Sequence, residues 1–181
     1  MERPLTSCLR FTLIASLIGL PACSSVAPDR GAGVASFQGS PSGWRTSVPV
    51  RFVDNRVFVP VVLNDSVSAV FLLDTGANHT VITPELAHRA GVDATTPTAR
   101  AKARMAGGQE VDMSVVRLGS ISVGTARIAN TVIAVYGVMV TDHTGKPIPV
   151  DGFLGLDFLA RFSTTIDPHA GKLILELSGS R

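Results

Sequence analysis

Residues 70–82 read VFLLDTGANHTVI, two apolar runs separated by a short polar gap that opens with Asp74, Thr75 and Gly76. A strand-like apolar run that ends in a carboxylate is a chemical signal. Among apolar neighbours an ionised carboxylate costs several kcal/mol unless it is hydrogen-bonded or shares a proton. Gly76 lets the backbone turn tightly and approach a partner, and the Thr75 hydroxyl can bond across an interface. As an isolated triplet, Asp-Thr-Gly is also an ordinary turn that closes a strand. The flanking runs, AVFLL before and TVI after, place the acid in a turn among buried neighbours.

The other reactive side chains are scattered. His79, His88, His143 and His169 form no His-Glu-x-x-His motif, and the two cysteines are Cys8 and Cys23. No zinc site and no cofactor are expected from that pattern; His79, beside the acid, would tune local polarity. Residues Asn78, His79 and Thr80 match a glycosylation sequon. Asp151 and Gly152 read as turn chemistry, and Arg51 and Arg56 as solvated strand charges. A formal charge of +2 with no Lys/Arg run argues against a nucleic-acid partner.

The elements that must position Asp74 are short strands. The 181 residues are 45% hydrophobic, enough for one domain with a core plus an extra segment. Val, Ile, Thr and Gly are abundant and amphipathic helix patterns are scarce, which points to an all-β fold with one or two short helices. VPVRFV and VFVPVVL read as strands joined by a turn at Asp54 and Asn55. Pro60 demotes part of the second to an edge or a bulge. Asn64, Asp65 and Ser66 mark the next turn, and residues 67–73 the strand that leads into Asp74.

After the motif, Thr83, Pro84 and Glu85 read as a helix start, with a cap, a first-position proline and a first-turn acid. Residues 86–90 continue that helix until Gly91 stops it. Residues 100–113 read as a hairpin whose tip is Ala106, Gly107, Gly108 and Gln109. RLGSISVGTARIANTVIAVY breaks at Gly119 and Gly124 into two or three strands. Residues 141–149 read as a polar loop, residues 153–162 as a turn into a short helix, and residues 163–177 as a terminal hairpin.

The start of the chain is different in kind. Arg3 and Arg10 precede the apolar run FTLIASLIGL, too short to span a bilayer core of about 30 Å and typical of a secretory signal over residues 1–22. Leu20, Pro21, Ala22 and Cys23 resemble the lipobox of bacterial lipoproteins, which implies a lipidated Cys23. An exported domain with one leftover cysteine forms no internal disulfide, so acylation accounts for the thiol. Ser24 after the cysteine implies, by the same resemblance, the periplasmic face of the outer membrane. An ordinary signal, with a soluble periplasmic or secreted product, is the alternative. Residues 23–43, rich in Ser, Gly, Ala and Pro, read as a lipidated cysteine and tether with an r.m.s. span of roughly 25 Å. Residues 44–181 are then the domain.

FLLDTGANHTVI resembles the active-site segment of the retropepsin-type aspartic peptidases, which carry apolar-apolar-Asp-Thr-Gly-Ala. A second element of that family follows in order: the apolar-apolar-Gly turn Phe153, Leu154 and Gly155, leading into a short helix. VDGFLGLDFLARF resembles the bacterial single-domain members in particular. The resemblance covers residues 49–177. It implies an acid-protease barrel with Asp74 as catalytic residue, Thr75, Gly76 and Ala77 supporting the active-site turn, and Gly155 packed behind it. It also implies a flap formed by Arg104, Met105, Ala106, Gly107, Gly108 and Gln109, closing over a peptide or protein substrate. Asp157, in the helix after the glycine turn, is read as structural.

Such peptidases use two carboxylates about 3 Å apart that share one proton. This chain has one Asp-Thr-Gly, hence half a site, and the resemblance implies a homodimer with the two Asp74 side chains on its two-fold axis. The alternative is a non-catalytic lipoprotein of the same fold that dimerises or binds a periplasmic polypeptide in its cleft.

Overall fold

The computed structural model describes residues 34–37, the first four by backbone course alone, then 44–104 and 108–177. Its strands and helices, in chain order, are β1 (Val34–Phe37), β2 (Arg45–Pro49), β3 (Arg51–Val53), β4 (Arg56–Leu63), β5 (Val67–Leu73), β6 (Val81–Ile82), α1 (Pro84–Arg89), β7 (Ala99–Arg104), β8 (Glu110–Val123), β9 (Ala126–Val135), β10 (Val140–Thr141), β11 (Pro147–Ile148), β12 (Gly152–Leu154), α2 (Leu156–Leu159), β13 (Ser163–Asp167) and β14 (Lys172–Glu176). The all-β reading with two short helices is therefore correct.

The main sheet closes on itself. Its pairings run β9, β6, β12, β5, β4, β8 and back to β9, so each of these six strands has a neighbour on both sides. Closure removes free sheet edges, which otherwise invite pairing with other chains. β3 hangs from β4, β7 from β8, and β1 from the half of β9 that β6 leaves open. A separate sheet of three strands, β13, β14 and β2, sends Leu173, Leu175 and Val48 into the main core. Trp44 and Phe158 both pack tilted against Phe162, with ring centroids 5.8 and 5.3 Å away, where α2 meets that core.

Local chemistry explains the turns. Asp54 and Asn55 take φ of 49° and 59° in the two-residue β3–β4 loop, as a type I′ hairpin requires. Thr83 caps α1 by accepting the Leu86 N–H at 3.1 Å, and Gly91 leaves the helix at φ +68°.

Four expectations change. Residues 34–37, assigned to the tether, pair with Ala126–Ala129 of β9 instead; an alternating Val-Ala-Ser-Phe run can fill an open strand edge. Gly119 does not break a strand: β8 runs through it for 14 residues, and an added Cβ there would meet Asn64 Oδ1 at 3.0 Å. The 141–149 loop holds a small hairpin, β10 with β11, whose Val140 and Ile148 cover Phe58. Arg56 is not a free strand charge, because it donates to the Thr141 carbonyl at the base of that hairpin, and Arg51 lies 4.8 Å over the Phe58 ring. The edge reading of Pro60 holds: it pairs with Val70 of β5, but β3 has ended and β8 has not begun there, so the side facing away from β5 needs no N–H.

Candidate active site

Asp74 directly follows β5 and is half-buried, while Thr75 and Gly76 are exposed. The turn is held by its own atoms: Gly76 N–H donates to Asp74 Oδ1 at 2.9 Å, and Ala77 N–H to the Asp74 carbonyl at 3.3 Å. The Asp74 N–H in turn donates to the Leu154 carbonyl at 3.1 Å, which ties the acid to the end of β12. A carboxylate with one oxygen fixed and the other free of described partners is positioned yet available for chemistry.

The glycine turn after β12 lies directly behind this loop. A Cβ on Gly155 would stand 2.6 Å from the His79 carbonyl carbon and 2.7 Å from its oxygen, so only glycine fits. The two segments are then laced together. Leu156 N–H donates to the Ala77 carbonyl at 2.8 Å and Asp157 N–H to the Asn78 carbonyl at 3.2 Å. Thr80 donates its N–H to Asp157 Oδ2 at 2.8 Å and its hydroxyl to Asp157 Oδ1 at 2.6 Å, and accepts the Gly155 N–H at 3.1 Å. Asp157 also takes its neighbour's Phe158 N–H at 2.9 Å. The Asp157 carboxylate is thus consumed by the loop that carries the motif, as its structural reading anticipates. Thr80, almost wholly buried, was legible only as part of a sequon.

A groove of about 890 Å³ opens beside Asp74. Its far wall is the hairpin of β7 and β8, from which Ala101, Lys102, Ala103, Arg104, Met113 and Val115 line the groove. Ala101 and Ala103 pair with Met113 and Val111, and Ala103 packs against the small cluster of Val111, Met113, Val81 and Ala134. Lys102 pairs with Asp112 at 3.1 Å and Arg104 with Glu110 at 3.3 Å, all four well exposed, so these ion pairs contribute little stability. Of the expected flap, Arg104, Gly108 and Gln109 lie at the ends of the hairpin arms, and Gly108 has φ +88° with open space around it. Met105, Ala106 and Gly107 lie outside the described residues, as does Cys23. Phe153 reaches the groove while Leu154 is fully buried. Tyr136 and Val138, just past β9, complete the apolar wall; no sequence motif marks them.

The carboxylates whose acidity is clearly shifted lie in turns outside this groove. Asp93 is lowered to about 2, chiefly by the Thr95 hydroxyl and then by that of Thr96, and Asp142 is lowered by the Thr144 hydroxyl and the Lys146 N–H. These acids cap their own loops.

The profile of the aspartyl protease family matches residues 59–158, from within β4 to α2, and so includes both Asp74 and the glycine turn. The chain belongs to the aspartyl protease family. Among solved structures, a retropepsin-like aspartic protease from Rickettsia conorii is 25% identical, with a TM-score of 0.55 over 75% of this chain and 94% of that one. The fold of this aspartyl protease is accordingly retropepsin-like. The retroviral protease-like domain of Ddi1 from Leishmania major is 18% identical, with a TM-score of 0.40 over 62% of this chain and 78% of that one. The EIAV protease complexed with the inhibitor HBY-793 is 26% identical, with a TM-score of 0.37 over 58% and 86% respectively. No curated protein matches the sequence.

Proposed function

We propose that this chain is an aspartic endopeptidase whose active site forms from two copies, each contributing Asp74. The observation that carries the reading is a single Asp-Thr-Gly in the chain, whose turn is exposed at the mouth of an apolar groove. Two Asp74 carboxylates meeting on a two-fold axis share one proton, since both cannot ionise at close range. The ionised member takes a proton from a water as its oxygen attacks the peptide carbonyl carbon, and the protonated member donates to the carbonyl oxygen. Collapse of the tetrahedral intermediate breaks the C–N bond, with a proton passed to the leaving amine. The β7–β8 hairpin closes over the peptide and excludes water from the groove.

β13 offers a further place for the second copy, because four of its five residues are exposed and its outer edge has no partner strand among the described residues. Mixing tests the shared site. Equal amounts of wild-type and Asp74→Asn subunits, allowed to exchange, should leave about one quarter of the dimers with two aspartates and activity near that fraction. Activity that stays at one half, proportional to wild-type subunits, means each chain works alone.

We also propose that the protein is carried to the periplasm and held on the outer membrane through an acylated Cys23, on the strength of the signal-like run ending at that cysteine. Labelling cells with a clickable fatty acid should tag the wild-type chain and not a Cys23→Ala variant. An untagged wild-type chain leaves a soluble exported enzyme.

A further inference from the structure

We propose that Asp151 is a positioning residue for the catalytic turn: it locks β12 in register with β5 and thereby places the carbonyl that holds Asp74. The proposal rests on Asp74 being the catalytic acid. All of the hydrogen-bonding groups of Asp151 are engaged, and they join three elements. Its Oδ2 accepts the Val70 N–H at 2.8 Å, and its own N–H donates to the Val70 carbonyl at 2.8 Å. Its Oδ1 accepts from Arg89 at the end of α1 at 2.6 Å, and its carbonyl accepts the Thr83 N–H at 2.9 Å.

The need for such a lock follows from the topology. β5 and β12 are parallel and some eighty residues apart, so no tight turn sets their register. Their pairing is only three residues long: Gly152 with Phe71, Phe153 with Leu72, and Leu154 with Leu73. Asp151 begins this ladder one step earlier by using a side-chain oxygen where a strand would offer a carbonyl. Both backbone groups of Val70 are thereby turned toward Asp151 and away from Pro60, its partner on β4, so the proline's missing N–H costs nothing there.

Gly152 closes the alternatives. A Cβ at that position would lie 2.2 Å from the Val81 carbonyl oxygen, so no other residue of β12 can slide into it. With Asp151 bound to Val70, the Leu154 carbonyl falls opposite the Asp74 N–H, and Gly155 falls behind His79. The carboxylate thus acts on the site through the three paired residues of each strand.

The test combines kinetics with residue-resolved amide exchange on the full domain. Asp151→Ala is expected to lower kcat about 10- to 100-fold with KM within about twofold, because a small displacement of a catalytic group costs rate more than binding. The exchange of the Val70 and Asp74 amides should quicken by about tenfold or more, with the rise confined to residues 70–74 and 152–155. Asp151→Asn keeps an oxygen for the Val70 N–H, so it should recover slow exchange at Asp74 and most of kcat. It also carries the test if the alanine variant does not fold. A uniform rise across the sheet, or unchanged exchange at Asp74, overturns the proposal. If the wild-type protein cleaves no peptide while exchange at Asp74 still responds to Asp151, the peptidase reading falls and the positioning role stands.

Discussion

Asp74→Asn should cut peptide cleavage by about 10²- to 10⁴-fold or more while leaving the fold and the proposed two-copy assembly intact. The separation of the two effects follows from the geometry. Structurally, the Asp74 side chain accepts one hydrogen bond, from Gly76 N–H at 2.9 Å, and an amide oxygen accepts it equally well. The backbone bonds from Asp74 to Leu154 and from Ala77 to Asp74 do not involve the side chain at all. Chemically, an amide can neither take a proton from water nor offer an acidic O–H to a carbonyl oxygen. A steady-state assay on a peptide library, with circular dichroism and sedimentation on the same samples, reads all three properties. Full cleavage by a folded Asp74→Asn protein would remove Asp74 from catalysis and with it the half-site argument.

Gly155→Ala should sharply reduce activity. Its Cβ would be placed 2.6 Å from the backbone of His79, which cannot yield as the end of a flexible side chain can. Relief requires that residues 76–80 and the start of α2 move apart, which strains the Thr80 and Asp157 bonds between them. Overpacking of this kind costs about 1–3 kcal/mol of stability. A shift of the catalytic loop by about 1 Å can cost about 10²-fold in rate. Thermal unfolding and kcat measured together should therefore show a modest loss of stability beside a large loss of turnover. A variant with wild-type kcat would mean that the close packing behind the turn is dispensable.

Much of this architecture was readable because its signals are local. Asp54 and Asn55 tolerate positive φ, Thr83 followed by Pro84 starts a helix, and the apolar run ending at Leu73 marks β5, each through a preference set within a few residues. The same holds for the motif itself, since Asp-Thr-Gly after an apolar run and Phe-Leu-Gly before a helix each carry their chemistry in sequence order. The readings that failed depended on what lies alongside. Gly119 looked like a break because glycine usually is one, whereas here the strand continues past an asparagine side chain from a different hairpin. Residues 34–37 looked like linker because their composition is that of a linker, yet half of one edge of β9 was open to them.

By itself, then, the sequence determined the strand-rich class, the positions of most turns, the Asp-Thr-Gly turn at Asp74 and the glycine turn that must support it. These follow from backbone preferences and from the burial demanded by apolar runs, which act over short stretches of chain. Only the tertiary structure decided that Thr80 belongs to Asp157 and Val70 to Asp151, that Tyr136 and Val138 wall the groove, and that Asp157 is spent on holding the loop. Pairings across about eighty residues depend on how a closed sheet brings its strands around, and hydrogen-bonding side chains such as Asp and Thr have many possible partners until that closure chooses one.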